Sequence, residues 1–445
     1  MVKSQHRADE FTITDRGFLA LVLIFILSLI LLTPRIYSGD EIQYYAFLRS
    51  VWKDHDLKFQ NEYQHLYRLA PSKQLNFKKA FIDRLNSTGY ARNDAPIGCA
   101  ILWTPFFGLA DLYVKLTHRV PADGFSFPYI LAVCFASAFY GFLGFALQYR
   151  ILRDFFSRWA SFWAVLTLWF GAHAVYYMYV TPPMSHATSI FTTSLFVYTW
   201  FRLRERDSAS AWFVIGIVGG LATIVRWQDA LFLLIPFFDR KQVRLKLVCA
   251  AAAFLIFIPQ LWIWWTLNGE LNPYSTGNLK GKLFWNGKYF LPVLFSTYHG
   301  LILWTPVIAL CLVGLVYLVK IVRIFWLLVL VFLLQFYFII CTDTWQGGAG
   351  FGLRYLISCT VIFTFGLSAL YSRWPTKLVP AVSIFFIIWN LFMVIQVSTG
   401  MLPRDGRFEV SRMLQNQFVE VPRHLGEITY RFLFKRSSFY EKEKK

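Results

Sequence analysis

The chain has 445 residues, 57% of them hydrophobic and only 16% charged, with a mean hydropathy of +0.47. Soluble domains carry roughly 25% charged residues, so a single water-soluble domain, a disordered chain and a fibrous chain are all excluded. The net charge of +19 sits in short basic clusters between apolar runs, which reads as membrane topology and not as nucleic-acid binding.

What remains is an all-α polytopic membrane protein. A helix needs about 20 apolar residues to cross a bilayer. The first apolar run is Phe18 to Thr33, with Lys3, Arg7 and Arg16 before it and Pro34-Arg35-Ile36-Tyr37 after it. No small-x-small cleavage site follows, so an uncleaved first span with a cytoplasmic N-terminus is expected. Further runs lie at 127–148, 159–180, 187–201, 211–225, 229–238, 247–266, 299–318, 324–342, 356–372 and 379–399, which makes eleven expected spans. The pieces 211–225 and 229–238 are short. Separated by Arg226-Trp227-Gln228, they predict two half-length helices meeting at the outer surface.

The apolar piece Pro96 to Val114 is ambiguous by hydropathy. If it does not cross, the clusters Arg150/Arg153/Arg158 and Arg202/Arg204/Arg206 fall inside, where short loops rich in Lys and Arg belong. The piece then belongs to a long first outer loop, 34–126. Its Tyr44, Tyr45, Trp52, Tyr63 and Tyr67 suit helices lying in the membrane interface. A second outer loop, Asn268 to Tyr298, is rich in Gly and Asn and reads as a cover over a site. Residues 1–400 form the membrane-embedded domain. Residues 401–445 form a basic C-terminal tail, outside or on the membrane surface facing anionic headgroups.

Residues able to do chemistry gather at the outer ends of these spans. Asp40 and Glu41 follow the first span. Such a pair can serve as a general base or bind a cation, and it equally suits a helix N-terminus. Arg226 and Asp229 flank the turn of the short helix pair, as functional groups or as an interfacial pair holding the turn. His186 and His299 lack a second histidine or carboxylate at helical spacing, so no metal site is signalled and no cofactor is expected. The six cysteines all lie in apolar runs without metal-ligand spacing. The stretch from Asp343 to Tyr355 is the most informative. Four glycines in six positions uncover backbone N–H groups, and Arg354 follows them with a guanidinium able to fork onto phosphate oxygens. No G-x-x-x-x-G-K loop is present, so an enzyme here needs its energy carried in the substrate, as a lipid-phosphate sugar does.

Residues 17–400 resemble the membrane-embedded GT-C glycosyltransferases, in particular the group containing the protein O-mannosyltransferases and the lipid A aminoarabinose transferase. The resemblance rests on Ser38-Gly39-Asp40-Glu41 with Tyr45, on Asp94-Ala95-Pro96-Ile97-Gly98, and on Arg226 in the outer turn. It also rests on His299-Gly300 before Trp304-Thr305-Pro306, and on Gly347-Gly348-x-x-Phe351-Gly352-x-Arg354-Tyr355-Leu356.

The resemblance implies a hexosyl- or pentosyltransferase that moves a sugar from a polyprenyl-phosphate carrier to an acceptor hydroxyl on the extracytoplasmic face, with inversion. The acceptor would be a glycan, a lipid or a protein, and the setting a bacterial inner membrane. It assigns Asp40 as catalytic base and Arg354 as holder of the carrier phosphate, with Arg226 or Lys280, Lys282 and Lys288 as alternatives. Glu41, Tyr45, Asp94, His186, His299 and Tyr355 are further expected substrate-binding residues. Ser185-His186 stands where the family often has an acidic residue, which argues against a two-carboxylate metal site. The alternative readings are a transporter or flippase for a lipid-linked saccharide, which often shows matching halves absent here, and a ligase moving a whole saccharide.

Overall fold

The computed structural model describes residues 14–36, 38–69, 77–272, 283–321 and 323–436. Regular structure among them is helical, with two isolated antiparallel bridges, Leu85–Ala91 and Leu283–Thr342. Six helices are long and apolar enough to cross a membrane: Gly98–Thr117, Phe127–Leu152, Val243–Asn268, Arg323–Ile340, Arg354–Tyr371 and Leu378–Ser398. Shorter apolar helices cover Arg16–Leu31, Ala209–Val225, Trp227–Phe238 and Val307–Ile321. Arg158–Phe170 and Ser185–Leu203 add two more. The chain is a multi-pass integral membrane protein.

Local chemistry sets the helix starts. The Asp15 carboxylate accepts from the Gly17 and Phe18 N–H groups at 2.8 and 3.2 Å, capping the first helix. Ser38 and Glu41 form a reciprocal capping box at the start of the Gly39–Arg49 helix. Two expected spans are broken. The helix within 159–180 stops at Phe170, with Gly171 as its C-cap, and the Asn390 amide donates to the Phe170 and Ala172 carbonyls left there, both at 2.8 Å. The chain then resumes as a π-helical turn, Tyr176–Val180. Within 299–318, Thr305-Pro306 separates Leu301–Trp304 from Val307–Ile321. Proline lacks the N–H the helix needs and pushes the residue before it out of helical geometry.

Polar contacts fix which loops share an end of the bundle. Asp15 pairs with Arg158 at 3.2 Å and with Arg153 at 3.7 Å. Arg202 pairs with Asp154 at 2.8 Å, and Lys241 with Glu205 and Asp207, both at 3.3 Å. The Trp159 indole donates to the Thr376 carbonyl at 3.1 Å. The short basic loops therefore lie together at one end. At the other end Thr33 N–H meets the Tyr179 carbonyl and Asn86 meets the Leu267 carbonyl, both at 2.8 Å. The Arg436 guanidinium reaches the Leu32 carbonyl there at 2.6 Å.

The Phe127–Leu152 helix runs between these ends, with Tyr149 bonded to Asp15 and Tyr129 bonded to Asp111 of the first loop, each at 2.6 Å. Because the Arg16–Ser28 helix also starts at the basic end, residues 34–126 leave and return at the same end. The Gly98–Thr117 helix lies along the near half of Phe127–Leu152. Its Leu102 carbonyl accepts from Tyr140 at 2.9 Å, and Phe107 packs on Tyr129 with ring centroids 4.8 Å apart.

Small residues let the helices close. A Cβ on Gly366 would meet the Cys311 carbonyl at 2.5 Å, and one on Gly314 would run into the Gly366 carbonyl, so Val307–Ile321 and Thr360–Tyr371 touch backbone to backbone. The described residues of 34–126 form a second hydrophobic cluster, built on Tyr45, Tyr63, Trp103 and Phe107 and joined by Tyr129 of the Phe127–Leu152 helix. All six cysteines are buried and free. The described part of the 401–445 segment packs on the bundle: the Gln396 amide donates to Gln417 at 2.7 Å, and Gln417 donates to the Trp389 carbonyl at 2.9 Å.

Candidate active site

At the end away from the basic loops, Asp40 and Arg354 meet. The Arg354 guanidinium lies 3.1 Å from an Asp40 carboxylate oxygen, and the Asp40 side chain is 41% exposed against 14% for Arg354. The first turn of the Gly39–Arg49 helix presents Asp40, and a 3₁₀ turn opening at Arg354 presents its partner. Arg354 also donates to the Gly347 carbonyl, so it is tied to its own glycine-rich loop. That loop lies against Tyr177, whose hydroxyl receives the Phe351 N–H at 3.0 Å and donates to the Phe351 carbonyl at 3.2 Å. A Cβ on Gly350 would come within 2.9 Å of the same hydroxyl, so only glycine allows this approach.

Glu41 points the other way. It is fully buried and accepts the Ser38 N–H at 2.6 Å. Burial pushes its carboxyl up to about 7, against the Ser38 N–H and the charges of Arg35 and Arg404. The adjacent acids thus have different surroundings: one half-exposed beside a guanidinium, one sealed.

A second polar group surrounds Arg226. It is 8% exposed, and its guanidinium donates to Ser185 at 3.1 Å and to Gln228 at 3.3 Å. Tyr44 donates to the same Ser185 hydroxyl at 2.9 Å. Among the described residues no carboxylate lies within ion-pair distance of Arg226. Asp229 instead takes the Ser189 hydroxyl at 2.6 Å. His186 stacks on Tyr177, 4.1 Å between centroids and 11° between planes, and feels the charges of both Arg226 and Arg354. Gln228 donates to the Tyr355 carbonyl, which links the Arg226 turn to the Arg354 turn.

The structure thus brings Asp40, Glu41, His186, Arg226, Arg354 and Tyr355 into one neighbourhood. His299 joins it through Gln346, whose carbonyl is 2.8 Å from the His299 ring nitrogen Nδ1. The left-handed backbone of His299, φ 61°, is uncommon for a residue with a side chain. Tyr45 and Asp94 are placed differently. Tyr45 is fully buried in the first-loop cluster, and its hydroxyl donates to the Gly124 carbonyl. Asp94 takes a two-pronged bond from Arg92, at 2.6 and 2.8 Å. It is held next to the Asp40 helix by its N–H to Gln43, at 2.8 Å. Lys288 lies over the Phe284 ring at 4.8 Å, whereas Lys280 and Lys282 fall outside the described residues.

Four participants were not read from the sequence. Tyr177 sits in an apolar run with no polar pattern to mark it. Gln228 was read only as part of a turn. Arg404 and Asp405 belong to the segment read as a basic tail, yet Arg404 donates to Tyr176 at 2.8 Å and Asp405 accepts from Tyr298. Among the described residues, no three or more His, Cys, Asp or Glu side chains gather as a metal site would need.

No protein-family model matches the chain, and no curated protein matches it. Among solved structures, ArnT from Cupriavidus metallidurans in the apo state is similar, with a TM-score of 0.50 and 13% identity. The alignment covers 96% of this chain and 76% of that one. At that identity the likeness is one of fold alone: the chain is folded like ArnT.

Proposed function

We propose that this protein is a glycosyltransferase moving a sugar from a polyprenyl-phosphate carrier to an acceptor hydroxyl, with Asp40 as the base. The observation that carries the reading is the Asp40–Arg354 pair, a half-exposed carboxylate against a guanidinium at 3.1 Å, within an ArnT-like fold. A carboxylate held in place accepts a proton, and a guanidinium pairs with a phosphate through two parallel N–H bonds. Each group has one half of the reaction.

In the proposed step the acceptor oxygen attacks the anomeric carbon as its proton passes to Asp40. The bond from that carbon to the phosphate oxygen breaks, and its electron pair leaves with the polyprenyl phosphate. Attack opposite the leaving group inverts the anomeric centre. Arg354 stabilises the charge that develops on the phosphate. Arg226, buried beside neutral groups, is a second cation for it. Phosphate is a good leaving group, so no second carboxylic acid is needed, unlike glycoside hydrolysis. When Arg354 turns to the phosphate it releases Asp40 to act as base. His186 and Tyr355 border the sugar, and His299 and Glu41 support the loop and helix around it. The basic loops at the opposite end favour an extracytoplasmic site.

The test is transfer of radiolabelled sugar from polyprenyl-phosphate donors in membranes carrying wild type or Asp40→Asn. General-base catalysis contributes typically about 10²- to 10⁴-fold, so a loss of that size is expected in the variant. Full activity in Asp40→Asn would overturn the assignment.

A further inference from the structure

The glycine-rich loop is bonded internally through Gly347 and gripped by Tyr177 at Phe351. A further grip comes from one short segment beyond the Leu378–Ser398 helix. The Arg404 carbonyl accepts the Gly350 N–H at 2.9 Å. The Arg404 guanidinium donates to the Tyr176 hydroxyl at 2.8 Å, and the Tyr176 ring stacks on Phe351, 5.1 Å between centroids at 17°. Four residues on, Phe408 packs edge-on against Trp304 at 5.4 Å, and Trp304 meets Phe351 at the same distance. The positive charge of Arg404 also acts on Glu41, next to Asp40 in the chain.

We propose that Arg404 is a positioning residue, which fixes the 347–352 loop so that Arg354 is set against Asp40 and the carrier phosphate. The main chain of this one residue bonds Gly350, and its side chain bonds Tyr176, which stacks on Phe351; Gly350 and Phe351 stand four and three positions before Arg354. The Arg404 side chain is half-buried, and ordering it costs rotamer freedom for which a loose tail gives no reason. The inference rests on the reading of Arg354 as the phosphate-binding group.

The full-length protein in detergent, as wild type, Arg404→Gln, Arg404→Lys and Tyr176→Phe, tests it by two readouts. The first is hydrogen exchange of the 347–353 backbone, which needs no substrate. The second is affinity for polyprenyl monophosphate, which needs no knowledge of the sugar. Arg404→Gln is expected to speed exchange in this loop and to weaken polyprenyl phosphate on the order of tenfold, the scale of one charge-assisted hydrogen bond. Arg404→Lys should recover part of both. In an Arg354→Lys background the Arg404→Gln loss should shrink, because the two residues act in series.

Unchanged exchange in a folded Arg404→Gln, or an affinity loss of equal size with and without Arg354, would overturn the proposal. Should wild type fail to bind polyprenyl phosphate, the carrier reading falls, and the exchange result still judges whether Arg404 holds the loop.

Discussion

Arg354 differs from a lipid-facing anchor in what it touches. An anchor needs only a positive charge on a long stem, and Lys supplies that. Here one guanidinium nitrogen, Nη2, meets both the Asp40 carboxylate and the Gly347 carbonyl, and a phosphate pairs with a planar fork of donors that Lys lacks. Arg354→Lys should therefore fold normally and still lose transfer, and Arg354→Ala should lose more, as read from rate against donor concentration. Unchanged kinetics in Arg354→Lys would move the phosphate to Arg226.

Two buried acids make a pH prediction. Burial raises the Glu41 and Glu62 carboxyls from the usual value of 4.5 to about 7. The folded chain then holds more protons than the unfolded one between those values. The part of the stability that these two acids govern falls as pH rises from about 4.5 through 7 and stays level above that, while the His173 and His299 rings, held down at about 4 by burial, act in the opposite direction over the same range. Thermal melts of wild type and Glu41→Gln compared across this range isolate the Glu41 part: the variant should gain on wild type as pH rises. A slope unchanged in Glu41→Gln would mean that Glu41 stays charged in the fold.

Helices were the most legible feature of the sequence, and their interruptions the least. Apolar runs mark where backbone must satisfy its own hydrogen bonds in lipid, so length and hydropathy locate them. Asn390, which satisfies carbonyls at the end of the Arg158–Phe170 helix, lies 220 positions from Phe170, and no local pattern announces such a bond. The Tyr176–Val180 turn was hidden for the same reason: it lies in a run that reads as continuous helix. Asp40, Arg226 and Arg354 could be singled out because ionisable groups at the ends of apolar runs are few. Tyr177 and Arg404 could not, since aromatic residues crowd this chain and its tail is broadly basic. The close crossing at Gly314 and Gly366 gives a test at this scale. Gly366→Ala places a methyl against the Cys311 carbonyl, and overpacking of this kind costs about 1–3 kcal/mol. A lower melting temperature with both halves of the site intact is the expected result, and an unchanged melt would show that the helices can part at no cost.

The described residues form a bundle with a basic end and an end that holds the candidate site. The described parts of 34–126 and 401–445 both contribute residues to that second end. Cysteines at Glu205 and Arg407, exposed positions at opposite ends, should label from opposite sides of a sealed membrane. Labelling from one side at both would break this arrangement. The division of labour between Asp40 and Arg354 is tested most directly by measuring polyprenyl-phosphate affinity and sugar transfer together in Asp40→Asn. Asparagine removes the counter-charge of Arg354 as well as the proton acceptor. Affinity for the carrier phosphate should hold or rise while transfer falls by about 10²-fold or more. Transfer at the wild-type rate, or affinity lost in step with transfer, would contradict a base and a phosphate clamp standing side by side.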